Sequence, residues 1–372
     1  MQESEKSCQD KRLDIPVDLI RALAIIGVIF LHATNDLTPD SMSQLEVVRW
    51  ITVDVYQSFA RMAVPLFVML SGALLLQPSK NESLRVFFKK RWERIGIPFF
   101  FWGALYFVWL YFAKNQAITV SSIIQGYLAG PYFQFWYIYM LAGLYLVTPI
   151  LRLVIAYADD KLIKYFVALW VLGASVIPVI SYFTVYDLNS IIFVITGWVG
   201  YYILGIYLLK VRIPRALTVG LMILGISLAA AGTVYMSFNV GGTESYYFQE
   251  YLSPTMILAS VMAFLLLTSG KTPAIKSVVT TTATGKEMEH KQIKSSKFRS
   301  LIHLISENTL PIFLLHLMVL ETLHRGFFGF AINGSIINSI IGVPLTTVIT
   351  LFLCLIIIVP LKKVPVLKKL IG

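Results

Sequence analysis

Ten apolar runs follow one another along the 372 residues of the chain, and each, at about 17 to 25 residues, is long enough to cross a bilayer core of about 30 Å as a helix. They lie near residues 17 to 35, 62 to 77, 95 to 113, 133 to 151, 162 to 182, 190 to 209, 216 to 236, 251 to 269, 301 to 323 and 336 to 360. Membrane-spanning strands would instead need alternating segments of about ten residues, and stretches such as VALWVLGASVIPVI are apolar without alternation. Composition agrees, with 57% hydrophobic and only 14% charged residues, far from the soluble average. The expectation is an all-α polytopic bundle of about ten transmembrane helices in one domain over residues 17 to 361, in the plasma (inner) membrane.

Basic residues set the orientation. With the N-terminus inside, 26 of the 31 Lys and Arg fall in cytoplasmic tails and loops; Arg49, Arg61, Lys114 and Arg325 fall outside, and Arg21 lies within the first span. That asymmetry is the positive-inside pattern, and it predicts that both termini are cytoplasmic, with tails at 1 to 16 and 362 to 372. It also accounts for the net charge of +11 without a nucleic-acid partner, and none is expected: short basic clusters beside spans serve topology and anionic lipid. Cys8 and Cys354 offer no disulfide framework. No small-residue cleavage site follows the first run, which reads as an uncleaved anchor. The segment from Lys271 to Arg299 is rich in Ser, Thr and Lys, too weakly apolar to fold alone, and reads as a mobile cytoplasmic loop in which His290 is solvated. No internal repeat of the kind that marks secondary transporters is visible.

The first span carries the chemistry. In DLIRALAIIGVIFLHATN, from Asp18 to Asn35, Arg21 and His32 are eleven positions apart, which on a helix returns to within about 20° of the same face after a rise of about 16 to 17 Å. Asp18, three residues before Arg21, is placed to pair with its guanidinium. Ionisable groups at bilayer depth are costly and commonly mark a polar interior or functional path. The bland alternatives are snorkelling for Arg21 and a neutral, hydrogen-bonded imidazole for His32.

The D-x-x-R pattern followed by this histidine resembles acyltransferase family 3, the integral membrane acyltransferases that act on sugars and related acceptors of the prokaryotic envelope. Four further stretches agree in order: FARMAVPLFVMLSGALLL (59 to 76), RWERIGIPFF (91 to 100), FWYIYMLAGLYLVTPIL (135 to 151) and ENTLPIFLLH (307 to 316). The resemblance implies a cytoplasmic acetyl-CoA or other acyl-CoA donor, His32 as the catalytic centre, and Arg21, Arg91 and Arg94 as donor contacts. With neither a hydrolase-like nor a racemase domain appended, the chain resembles the stand-alone form.

Residue chemistry is compatible with those roles. A positioned histidine that removes a hydroxyl proton is worth about 10² to 10⁴ in rate; a covalent acyl-histidine route is the alternative. Guanidinium groups bind phosphates through forked, charge-assisted hydrogen bonds, although Arg91, Arg94, Lys89 and Lys90 can each equally be topology determinants. His316, with Asn308 eight residues before it, either supports the site or packs its helix. Ser71 and Gly72 suit close helix approach, and Trp136 and Tyr137 suit an interfacial aromatic belt or, less simply, sugar stacking. Asp36, four residues past His32, is placed to orient the imidazole if the helix continues, and the outer segment from Asp36 to Arg61, with Asp40, Glu46, Asp54 and Gln57, can line an acceptor entrance. No metal is expected.

The sequence thus points to an O-acyltransferase, most simply O-acetyl, acting on a glycan or lipid-linked saccharide of the cell envelope among membrane lipids. The alternatives are a transporter or flippase of such a saccharide, with His32 and Arg21 lining its path, and a structural or sensing membrane protein.

Overall fold

The computed structural model describes residues 16–34, 44–80, 82–183, 197–240, 243–269, 297–326, 331–333 and 338–372. Every regular element among them is helical. Asp36, Asp40 and most of the 271 to 299 segment lie outside the described residues. In chain order the helices are α1 (Val17–Ala33), α2 (Gln44–Ala60), α3 (Ala63–Leu75), α4 (Leu84–Arg91), α5 (Ile97–Lys114), α6 (Val120–Ala129), α7 (Trp136–Tyr157), α8 (Asp160–Val171), α9 (Ile177–Phe183), α10 (Val199–Tyr207), α11 (Arg215–Asn239), α12 (Pro254–Thr268), α13 (Lys297–Glu307), α14 (Thr309–His324), α15 (Ser339–Leu361) and α16 (Pro365–Ile371).

Among the described residues seven helices are long and apolar enough to cross a membrane, or eight if α13 and α14 form one bent span. The 17-residue α1 and the short apolar helix Val199–Lys210 correspond to the first and sixth expected runs. The chain is therefore a multi-pass helical membrane protein, roughly as its apolar runs indicate.

Three differences reshape the picture. The segment before Arg61, read as a polar outer stretch, is α2 from Gln44 on, and it continues into α3 as a 29-residue apolar helix, Val47–Leu75. Its polar groups interrupt the apolar pattern, yet Trp50, Val53, Asp54 and Ser58 are all buried, because partners from elsewhere in the chain meet them. The basic loop before the third run is likewise helical: α4 runs through a π turn, Trp92–Gly96, into α5. Pro98 has no N–H to give to the carbonyl four residues back; just before it, the Ile97 N–H reaches five residues back to Trp92, which is the wider π register. Leu172–Val176, ahead of Pro178, repeats the device, with Ile177 N–H on Leu172. Finally, the ninth run is broken at Asn308, where α13 and α14 meet with a bend of 78°.

α1 is the spine of the bundle, packed against α2, α3, α14 and α15, with Ile20, Ala22, Ala24, Ile25 and Ile29 fully buried. Beside it α3 and α10 cross closely. A Cβ added to Gly72 would sit 1.8 Å from the Tyr202 carbonyl oxygen, and one on Gly205 would sit 1.9 Å from that of Met69. Two glycines facing opposite backbones bring the helices together as small residues do in lipid.

Candidate functional site: a cationic cavity and an imidazole pair

α1 presents Arg21 near one end and His32 near the other. Arg21 lines a cavity of about 330 Å³ together with Lys80, Arg91 and Arg94. The three arginines singled out in the sequence thus share one space, reached from α1 by Arg21 and from the end of α4 and the π turn after it by Arg91 and Arg94. Among the described residues no carboxylate pairs with Arg21, Arg91 or Arg94, whereas Lys90 and Arg152 share Glu82 at 2.8 and 3.3 Å and Lys89 approaches Glu93 at 3.9 Å. Arg91 is steered by aromatic faces, its guanidinium 5.0 Å from the Phe87 ring and 5.4 Å from that of Tyr145, and its Nε is buried without a partner. Lys80 sits in the loop after α3, where burial, then Arg152 and Arg91, hold its ammonium below the ordinary lysine value. Four cations that make no direct ion pair among the described residues, beside one lining carboxylate, Glu307, that His303 engages, form a net positive site for an anion.

Asp18 behaves differently from expectation. Instead of an ion pair with Arg21, its carboxylate accepts from Ser306 Oγ at 2.7 Å and meets His303 Nδ1 at 2.9 Å. It ties the start of α1 to α13, and the Arg21 side chain is left to the cavity. Ser306 itself lines the same cavity.

At the other end, the His32 and His316 rings are 5.2 Å apart, centroid to centroid, and Phe133 packs edge-on to His32 at 5.1 Å. His316 is fully buried. Its Nδ1 lies 2.6 Å from the Phe313 carbonyl; a carbonyl only accepts, so Nδ1 carries the hydrogen and Nε2 keeps a lone pair, for which the structure supplies no partner. His32 keeps some exposed surface, and Phe133 beside it is half exposed. Between this pair and the cationic cavity stand two aromatic rings. Tyr137 and Phe313 both line the cavity, 5.1 Å from each other, and Phe313 is 5.8 Å from His316. Asn308 lies at the α13–α14 bend, its side chain donating to the Leu304 carbonyl, and does not join His316.

At the His32 end the outer-segment residues and Trp136 meet groups that the sequence does not mark, Trp198, Gln249 and Tyr251. Arg61, assigned to an outer loop, occupies the α2–α3 turn and donates to the Gln249 carbonyl at 3.2 Å, with its guanidinium 5.7 Å from the Tyr251 ring. Trp136, Trp198 and Tyr251 are mutually 5.2 to 5.8 Å apart. Asp54 is not at an open entrance but 3% exposed, with Gln249 Nε2 donating to its Oδ1 at 2.6 Å and to Ser58 Oγ at 2.9 Å. Gln57 Nε2 donates to Thr34 Oγ1 at 3.0 Å, two residues past His32. Glu321 and Lys114 form a further pair at 2.9 Å, with Tyr132 bonded to both. Among the described residues no group of three or more His, Cys, Asp or Glu could hold a metal ion.

A multi-pass helical membrane protein whose first helix runs from a cationic cavity at Arg21 to an imidazole pair, His32 on α1 and His316 on α14, is what the fold and site define. Acyltransferase family 3, an acyltransferase domain, matches residues 15–359, nearly the whole chain, and the protein belongs to that family. A Bacillus subtilis (strain 168) protein named as the membrane-bound acyltransferase YfiQ is 27% identical over 142 residues, a stretch that spans 34% of this chain and 38% of that relative's length. No solved structure matches the chain.

Proposed function

We propose that this acyltransferase moves an acetyl group from cytoplasmic acetyl-CoA to a hydroxyl of an envelope glycan or lipid-linked saccharide, with His32 as the general base. The observation that carries this reading is the convergence of Arg21, Lys80, Arg91 and Arg94 on one cavity, joined by a single helix to the His32–His316 pair. A pyrophosphate suits that cavity, because guanidinium forks and ammonium groups bind its oxygens with charge-assisted hydrogen bonds. Arg21 and His32 are separated by a helical rise of about 16 to 17 Å, which an extended pantetheine arm can span. The cationic end then faces the cytoplasm, with both termini, and the His32 end faces the acceptor.

Chemistry follows from one proton. His32 accepts the hydrogen of the acceptor hydroxyl as its oxygen attacks the thioester carbonyl; the carbon–sulfur bond then breaks, and the imidazolium returns the proton to the departing thiolate. His316 is suited to orient His32 rather than to replace it, since it is fully buried where His32 keeps exposed surface, and its Nε2 lone pair faces inward as an acceptor. The Trp136, Trp198 and Tyr251 rings offer flat apolar faces with polar tips for a sugar. Membership of an acyltransferase family weighs against a transporter lined by the same residues.

Purified protein in nanodiscs, supplied with acetyl-CoA labelled in the acetyl group and with envelope fractions, is expected to move label into saccharide. Transport of an unmodified saccharide without thioester consumption would overturn the reading.

A further inference from the structure

Arg21 and Arg94 have a second face. Beside the cavity they share with Lys80 and Arg91 lies another of about 490 Å³, lined by Arg21, Arg94, Lys362 and Lys368. The two lysines come from the segment expected to be only a cytoplasmic tail. That segment is docked: Trp102 Nε1 donates to the Ile371 carbonyl at 3.2 Å, Ile371 is fully buried, and Gly372 lines the first cavity. Lys362 Nζ donates to the Glu307 backbone carbonyl at 3.2 Å. The Glu307 carboxylate on the same wall is engaged by His303 Nε2 at 3.1 Å, and Lys368 makes no ion pair among the described residues. Burial, and after it the Lys368 and Arg94 charges, holds the Lys362 ammonium below the ordinary lysine value against the pull of Glu307. Like charges crowded in this way are relieved when an anion binds between them.

Position identifies which anion. Starting from His32 the protein presents, in order, the Tyr137 and Phe313 rings, the cavity of Arg21, Lys80, Arg91 and Arg94, and then the cavity of Lys362 and Lys368. Acyl-CoA presents, starting from its thioester, the pantetheine arm, the pyrophosphate, and then the adenosine with a phosphate monoester on its ribose. The two orders coincide, with Arg21 and Arg94 at the junction of the two phosphate groups. We propose that Lys362 and Lys368 bind the ribose 3′-phosphate, so that the enzyme selects coenzyme A thioesters over otherwise identical donors that lack this group. The proposal rests on the acyl-CoA donor assigned above and adds residues and a selectivity to it.

The test compares acetyl-CoA with acetyl-3′-dephospho-CoA in wild type, Lys362→Ala/Lys368→Ala and Lys362→Arg/Lys368→Arg. Wild type is expected to prefer acetyl-CoA by about tenfold or more in kcat/KM, as charge-assisted phosphate contacts confer. The double alanine variant is expected to lose that preference while keeping its rate with the dephospho donor, which also shows that it is folded. The double arginine variant is expected to keep the preference. Equal loss with both donors in the alanine variant, or no preference in wild type, would overturn the proposal. Direct binding of CoA and dephospho-CoA, measured calorimetrically, makes the same comparison without turnover. A wild type that binds neither and transfers from neither would instead overturn the donor assignment itself.

Discussion

His316 lies 5.2 Å from His32, ring to ring, and has already given its Nδ1 hydrogen to the Phe313 carbonyl. Two imidazoles on two helices are therefore not equivalent: one is fully buried with its tautomer fixed, and the other, partly exposed, is the one to which the proposed mechanism gives the proton transfer. His316→Ala is expected to lower kcat by roughly tenfold to a hundredfold, the scale of losing an orienting partner of a general base, with the KM for acyl donor nearly unchanged. His316→Gln, which keeps an acceptor, is expected to recover part of that loss. Steady-state kinetics on both variants checks the distinction.

The cationic cavity makes a complementary statement about binding. Arg21→Ala, Arg91→Ala and Arg94→Ala are each expected to raise the donor KM by about tenfold or more, since each removes a charge-assisted contact worth about 1.5 to 3 kcal/mol. Lys89→Ala, whose ammonium is three-quarters exposed beside Glu93, is expected to leave it unchanged. Equal effects from all four would mean that only overall charge matters.

Gly72 tests the scaffold. Alanine there would bring a Cβ to 1.8 Å from the Tyr202 carbonyl, a backbone atom that cannot swing aside. Gly72→Ala is expected to cost about 1 to 3 kcal/mol or more through overpacking, read as a lower unfolding temperature in detergent. Gly143, with open space around it, provides the matched control, in which alanine is tolerated.

Glu82 supplies a pH dependence outside the spans. Its hydrogen bond to Lys90 and then that to Arg152 hold the carboxyl below its ordinary value of about 4.5. A folded-state value lower than the unfolded one means that the stabilisation is fully present above about 4.5 and is lost as pH falls through the lower, folded value. Wild type is therefore expected to lose thermal stability on acidification below about pH 4.5 more steeply than Glu82→Gln, in which that carboxyl no longer titrates.

How much of this was legible in the sequence depends on the reach of each interaction. Arg21 and His32 share one helix, so helical periodicity alone relates them, and Arg91 and Arg94 stand in a motif adjacent to a span. The direct hydrogen-bond partners of Asp18, His303 and Ser306, carry no local signal because they arrive from 285 and 288 positions away. α2 was missed for the same reason: Asp54 and Ser58 look solvated until Gln249 meets them from more than 190 positions away. The π turn is encoded locally, in Pro98, which removes a backbone donor just after it. Lys362 and Lys368 carry no local mark that separates them from ordinary topology lysines; only the docking of α16 beside Arg94 does.

The most direct measurement is transfer from labelled acetyl-CoA by His32→Ala, with CoA binding determined on the same preparation. The expected result is a fall in transfer of about 10² to 10⁴, the worth of a positioned base, with CoA affinity retained because the cationic cavity at the other end of α1 is untouched. Transfer by His32→Ala at a near wild-type rate, with binding intact, would contradict the assignment of this imidazole as the proton acceptor.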